Sequence, residues 1–302
     1  MKSIKGKVLI VALVLSAFTT SAFAQSTPAP KKDSTWTKGG LASFNFSQVA
    51  LSNWAGGGQS SIAVNGFLNV FANYKKGIHS WENSLDLGYG IVKQGSADFV
   101  KSDDKIDFTS KYGRQASKKW YYTGLVNFKS QFAPGYNTPA EITKISDLLA
   151  PAYVLASIGM DFKPNDVFSA YISPVTAKFT IVNDDSLSAR GAFGVEDGEI
   201  LRTEVGGYIR AQFKKDIFEN VNLQSRIELF SNYANNPENI DVNWETILAM
   251  KVNKFITANV SATVVYDDDI DIEVGTNDDG TIKSGPRTQF KQVLSIGLAY
   301  KF

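Results

Sequence analysis

The stretch Phe290-Lys-Gln-Val-Leu-Ser-Ile-Gly-Leu-Ala-Tyr-Lys-Phe302 sets the terms on which the rest of the chain is read. Phe290, Leu294, Ile296, Leu298, Tyr300 and Phe302 share one parity, and Lys291, Ser295, Gly297, Ala299 and Lys301 share the other. Successive side chains of a β-strand point to opposite faces, so this is a strand with one apolar and one polar face. The same alternation recurs upstream. Trp81, Leu85, Leu87, Tyr89 and Ile91 oppose Glu82, Ser84, Asp86, Gly88 and Gly90; Val221, Leu223, Ile227, Leu229 and Tyr233 oppose Asn222, Gln224, Arg226, Glu228 and Asn232.

Twelve such runs are expected, at about 40–51, 59–74, 79–93, 103–114, 118–132, 148–162, 166–182, 199–214, 219–233, 239–252, 255–267 and 287–302. Ten or fourteen strands result if a weak run fails or a loop adds a hairpin. The joins alternate in length. Short ones lie at Lys75–Ile78, Gln115–Ser117, Lys163–Asn165, Lys215–Phe218 and Asn253–Lys254, and longer, polar ones at 52–58, 94–102, 133–147, 183–198, 234–238 and 268–286. Tight turns at one end and longer loops at the other describe an antiparallel up-and-down transmembrane β-barrel.

A soluble β-sandwich alternates too, but usually with shorter strands. A lipocalin-like barrel turns its apolar face inward, whereas here the polar faces carry neighbouring opposite charges such as Arg202/Glu204 and Arg226/Glu228. The all-β membrane barrel with its polar face inward is the expected fold. Trp81, Trp120, Phe213, Phe255 and Phe302 fall near short turns, and Tyr89, Phe132, Tyr233 and Tyr266 near long loops, as two interfacial girdles would. Leu298, Tyr300 and Phe302 form a closing alternation similar to the insertion signal that barrel-insertion machinery reads in outer-membrane proteins.

Composition agrees. The 302 residues contain 31 Lys+Arg, 30 Asp+Glu, one His and no Cys. That balance leaves no basic stripe for nucleic acid. The absence of Cys excludes a disulfide framework and sulfur-ligated metal, and a single His excludes a multi-His zinc site. At the N-terminus Lys2, Lys5 and Lys7 precede the apolar run Val8–Phe18 and then Ala22-Phe23-Ala24, the three parts of a secretory signal. Residues 1–24 are therefore expected to be a signal peptide, 25–38 a short flexible lead-in, and 39–302 the barrel. The expected location is the outer membrane, within the cell envelope of a Gram-negative bacterium.

Two segments carry a family resemblance. Gln48-Val-Ala-Leu-Ser-Asn-Trp-Ala-Gly-Gly-Gly58 and Ile172-Ser-Pro-Val-Thr-Ala-Lys-Phe-Thr-Ile-Val182, the latter followed by Gly191-Ala-Phe-Gly-Val195, resemble an uncharacterised family of Bacteroidetes outer-membrane proteins catalogued as domain of unknown function 3078. The resemblance implies a barrel and an outer-membrane address. It implies no activity and no catalytic residues. Within its motifs Asn53, Trp54, Gly56, Gly57 and Gly58 form a loop in which the glycines open backbone conformations closed to other residues. Pro174, inside a strand run, predicts a bulge that re-aims a lumen side chain such as Lys178.

For a site, alternation points inward Glu82, Asp86, Asp107, Lys111, Lys129, Lys178, Arg202, Glu204, Arg210, Arg226, Glu228, Asp241, Glu245 and Lys251, with acids and bases in equal number. No enzyme is expected: His79 falls beside a short turn with no serine-and-acid constellation, and nothing points to the carboxylate pair of a glycosidase. No cofactor is expected beyond weak Ca²⁺ at the acidic outer loops, Asp267–Glu273 with Asp278 and Asp279, and Asp184 to Glu199. Thr138-Pro139-Ala140-Glu141, with Ile142, Ile145 and Leu149 at helical spacing, predicts a short helix over the mouth. Partners expected are outer-membrane lipid and lipopolysaccharide, barrel-insertion machinery and an envelope protein. A barrel of about twelve strands is narrower than the 16–18 of wide porins, so the function read is a porin-like narrow pore for small polar solutes. The alternative is a closed barrel serving as a structural or accessory subunit of an outer-membrane complex.

Overall fold

The computed structural model describes residues 35–51, 59–136, 143–276 and 282–302. The signal segment, the Asn53–Gly58 motif, Thr138–Ile142 and Asp278–Asp279 lie outside the described residues. In chain order the strands are β1 (Trp36–Val49), β2 (Ser61–Lys76), β3 (His79–Gln94), β4 (Val100–Gln115), β5 (Trp120–Ser130), β6 (Gly135–Tyr136), β7 (Lys144–Ser146), β8 (Ala152–Phe162), β9 (Phe168–Ile181), β10 (Leu201–Phe218), β11 (Val221–Asn232), β12 (Ile240–Lys251), β13 (Ile256–Tyr266), β14 (Asp271–Thr276), β15 (Ile282–Pro286) and β16 (Gln289–Lys301).

Twelve of these close into one antiparallel barrel, in the order β1-β2-β3-β4-β5-β8-β9-β10-β11-β12-β13-β16 and back to β1. They correspond one for one to the twelve runs read from the sequence. Leu41 pairs with Lys301 and Asn45 with Gly297 at the seam. β1 begins at Trp36, inside the expected lead-in, because Trp36 packs its ring on Tyr74 (5.3 Å) and Trp81 (5.8 Å). Lys215–Phe218, expected as a turn, continues β10 through a bulge, and the turn is Glu219-Asn220, where Asn220 takes φ 61°. Among the described residues no helix is long and apolar enough to cross a membrane; the strands do the crossing.

The long loops hold two small hairpins, β6–β7 and β14–β15, neither of which joins the barrel wall. The helix expected through Ile145 and Leu149 is not formed: Lys144–Ser146 is strand β7, and Leu149 takes φ 58°. A short helix stands instead at Asp185–Ser188, capped by Asp184, whose carboxylate accepts from the backbone N–H of Ser186 and Leu187 at 3.0 Å each. It carries Leu187 into a buried cluster with Ala150, Val182 and Val195.

The bulge expected at Pro174 is present. Ser173 pairs with Tyr208 while Thr176 pairs with Gly206, so two β9 residues oppose Gly207 alone. The extra residue reverses the parity of the strand. Before it, Tyr171 and Ser173 are buried in the interior; after it, Thr176 and Thr180 are buried and Val175 is turned to the exterior. Lys178 faces the interior for this reason alone. On β8, Gly159 makes room for the bulge, since a Cβ there would run into the backbone carbonyl of Ile172.

Replacing Gly159 by Ala should therefore destabilise the barrel by about 1–3 kcal/mol through overpacking. Gly124→Ala, whose Cβ would meet open space, should be near neutral. Urea unfolding of vesicle-inserted protein followed by tryptophan fluorescence checks the difference.

Candidate functional site

The exterior is apolar along the strands. Ile158, Val175, Leu294, Ile296 and Leu298 are all exposed on it, over a closed surface that water would penalise at about 25 cal/mol per Å². Aromatic rings border this belt: Trp81, Trp120, Phe255 and Phe302 at the short-turn end, and Tyr89, Phe132 and Tyr233 at the long-loop end. Phe213 and Tyr266 are only partly exposed.

The register turns the charges inward. Across neighbouring strands Glu82 faces Lys111, Asp107 faces Lys129, Lys178 faces Glu204, Arg210 faces Glu228 and Arg226 faces Glu245. Opposite charges in such positions attract, as cross-strand pairs do. Asp86 and Asp107 are the exception, two acids side by side. Amides flank them: Asn69 donates to Asp86 at 2.5 Å and Asn127 to Asp107 at 2.7 Å.

Interior charges gather in three groups. At the short-turn end Lys111 meets Asp161 (2.7 Å) and Glu82 (3.2 Å), and Lys163 meets Asp161 (3.2 Å) and Glu82. At mid-height Arg226 bridges Asp107 (3.1 Å) and Glu245 (2.7 Å), Lys129 and Arg210 hold Glu228, and Lys105 holds Glu245 (3.0 Å). At the long-loop end Lys178 meets Asp241 (2.6 Å), Glu204 (3.3 Å) and Asp267 (3.4 Å), while Arg202 meets Glu204 (2.8 Å) and Asp269. Lys251, at the short-turn rim, is exposed and stands outside these groups.

The middle group crosses the bore. Lys105 is on β4 and Glu245 on β12, with β5, β8, β9, β10 and β11 between them one way round and β3, β2, β1, β16 and β13 the other. These pairs are direct side-chain bridges between opposite walls. Burial is nearly complete for Asp107 (2% exposed) and Glu204 (3%), so each charge depends on its partner.

The alternation also pointed at positions whose partners it did not reveal. Lys105, Asp161 and Lys163 were not among the expected lumen residues, although Asp161 and Lys163 share a parity. Nor were the inward apolar residues Leu125, Tyr171, Tyr208 and Phe230, which pack as one buried cluster with Leu155. Tyr208 and Phe230 sit on the polar parity of their strands, and that break in pattern was the available signal. His79 Nδ1 lies 2.7 Å from the Tyr112 hydroxyl at the rim.

Four of the acids considered for Ca²⁺, Asp184, Asp267, Asp268 and Asp269, have partners within the chain. Asp267 and Asp269 pair with Lys178 and Arg202, and Asp268 accepts from Tyr266 (2.8 Å) and Asn239. In the loops Lys144 donates to Asp184 (2.7 Å) and Asp147 (2.9 Å). The hydrogen bond to Asp184, then that to Asp147, holds the Lys144 ammonium above the usual lysine range, and the Lys144 hydrogen bond holds the Asp184 carboxyl well below the usual carboxylate range. A cleft of about 420 Å³ opens at this end, lined by Arg202, Thr203, Glu204, Asn232, Asn235 and Asp269 among others.

A closed antiparallel barrel with an apolar, ring-bordered exterior, a charged interior and unequal ends defines the class: this is an outer-membrane β-barrel protein. The family described as "Protein of unknown function (DUF3078)" matches residues 46–136, which include the quoted Gln48–Gly58 segment but not those at 172–182 and 191–195. No curated protein matches the chain. Similar solved structures include the NanC porin (TM-score 0.38, 9% identity, covering 86% of this chain and 98% of that one). A second is an outer membrane channel from Pseudomonas putida F1 (0.39, 9%, 92% and 100%). A third is the translocator domain of the autotransporter NalP from Neisseria meningitidis (0.34, 8%, 99% and 95%).

Two outcomes follow from this geometry. Arg226→Ala leaves Asp107 and Glu245 facing each other and should cost about 3–5 kcal/mol in urea unfolding, as loss of one member of a buried ion pair does; adding Glu245→Gln should recover part of it. In the loop, Asp184 has a depressed folded pKa, so its contribution is full above about pH 4 and is lost as the pH falls through the depressed value. Hydrogen-exchange protection of the Ser186 and Leu187 amides should fall below that pH in the native chain and be low and pH-independent in Asp184→Ala, which has no side-chain acceptor.

Proposed function

We propose that this protein is a narrow pore passing small polar solutes through the outer membrane. The observation carrying this reading is a polar interior, enclosed by twelve strands, whose width is taken up by ion pairs such as Lys105–Glu245. Sixteen or more strands leave a wide aqueous channel; twelve leave a bore that side chains can span. Inward acids and bases balance, so selectivity among small ions would be weak. The cleft beside Arg202 and Asp269 would serve as an outer vestibule. The chain's role is non-catalytic, and its lipid-facing belt would meet lipopolysaccharide in the outer leaflet. Leu298, Tyr300 and Phe302, exposed on the last strand, would be the signal read by barrel-insertion machinery.

A second reading, the sealed barrel acting as an envelope accessory subunit, is favoured by the same bridges, because they join opposite walls. Planar-bilayer recording separates the two. A pore should give small unitary steps with weak ion selectivity, and Lys105→Met combined with Glu245→Gln, which removes both charges of one bridge together, should raise the unitary conductance. Silence from a barrel shown to be folded by its heat-dependent gel mobility would support the sealed reading.

A further inference from the structure

The mid-height bridge from β4 to β12 divides the lumen into two halves of five strands each, and the halves differ. On the side of β5, β8, β9, β10 and β11, the inward cluster of Leu125, Tyr171, Tyr208 and Phe230 fills the space. Polar residues beside it, Ser157 and Thr176, are buried. Both ends of this half are crowded by ion pairs, Lys178 with Asp241 at one and Lys111 with Asp161 at the other. Above it the loops meet through Ala150, Val182, Leu187 and Val195.

The opposite half, walled by β3, β2, β1, β16 and β13, carries mostly small side chains at its inward positions, uncharged polar ones interspersed with the apolar Leu41, Val265, Val293 and Ala299. Ser43, Asn65, Ser84, Asn259, Ser261 and Ser295 follow from the register, and each is only half-buried. Its two large inward rings are stowed against glycine: Phe71 over Gly39 and Phe67 beside Gly88. Asn45 Oδ1 and Thr257 Oγ1, in one row across Gly297, have no hydrogen-bond partner among the described residues. Charges facing this half are Asp86 at mid-height and others near its ends, where Lys291 meets Asp103 at 2.5 Å in an exposed pair that solvent readily parts.

We propose that the pore is eccentric: solutes pass along the β3-β2-β1-β16-β13 wall, and the class that fits is small, uncharged and hydroxyl-rich. This rests on the pore reading above. Hydroxyls and amides on that wall replace water around a polyol without asking it to carry a counter-ion, while the faces of Phe67 and Phe71 accept its C–H surface. A small ion would find few charges there to offset the loss of its hydration.

The chain has no cysteine, so single cysteines report each half cleanly. Ser261→Cys and Ser295→Cys probe the open wall, and Ser157→Cys and Thr176→Cys the filled one. Each variant is first checked for heat-dependent gel mobility. It is then treated in proteoliposomes with an uncharged, glycol-tailed maleimide, and erythritol uptake is followed by liposome swelling. The expected result is full labelling at 261 and 295 with severalfold slower uptake, and neither labelling nor slowing at 157 and 176. Equal labelling of both walls, or full labelling at 261 and 295 with undiminished uptake, would overturn the eccentric path while leaving a pore. Uptake by the unlabelled protein no faster than by empty liposomes would instead remove the pore reading, and this proposal with it.

Discussion

A strand in lipid has no water to satisfy the N–H and C=O groups along its edge, and every other feature of this protein follows from that. The sheet has to close, and it does so where β1 meets β16. Gly40 and Phe302 exchange backbone hydrogen bonds at 2.9 and 3.1 Å, with the Phe302 ring lying over Gly40. Once closed, the sheet has only two faces. The outer one contacts acyl chains and takes the apolar parity of each strand; the inner one receives everything polar.

Enclosure then acts on the charges. A twelve-stranded wall gives its inward side chains little room for separate hydration shells, so acids and bases meet directly. Removing two charges from water is costly, and their attraction offsets that cost only when geometry is good and remaining donors are satisfied. Arg226 meets this condition by serving Asp107 and Glu245 together, with Asn127 completing Asp107. Such bridges hold opposite walls at a set distance, which a barrel of uniform polar residues would lack. The apolar cluster around Tyr208 and Phe230 does the same on one side by packing. What space the lumen retains is therefore confined to the other side, where most inward residues are small and uncharged and the one pair that spans it, Lys291 with Asp103, is exposed.

Much of this was legible beforehand. Alternation placed all twelve wall strands, the interchange of short and long joins gave the barrel its two ends, and Pro174 marked the bulge. The charges expected inside are turned inward except Lys251, which stands exposed at the short-turn rim. The loops were less legible because their conformation answers to local hydrogen bonds rather than to a period. Helical spacing of Ile145 and Leu149 yielded to pairing of β7 with β6, while the helix that does form is capped by Asp184, whose carboxylate is an N-cap acceptor as well as a charge. Tyr208 and Phe230, large and apolar on a polar parity, break the alternation, and a period of two gives no account of the inward apolar cluster they join.

The sequence by itself determined that the chain crosses the membrane as strands, which side chains face lipid and which face inward, and which ends carry loops. A period of two contains that information, because it is a property of each strand alone. The period carries nothing about position around the barrel. Lys105 and Glu245 are 140 residues apart in the chain, and their meeting depends on strand order, stagger and closure together. Likewise, Lys178 owes its inward direction to one extra residue in β9. Which charges pair, which half of the lumen is filled and which is left for a solute were decided only when the walls came face to face, since those contacts exist between strands and not along them.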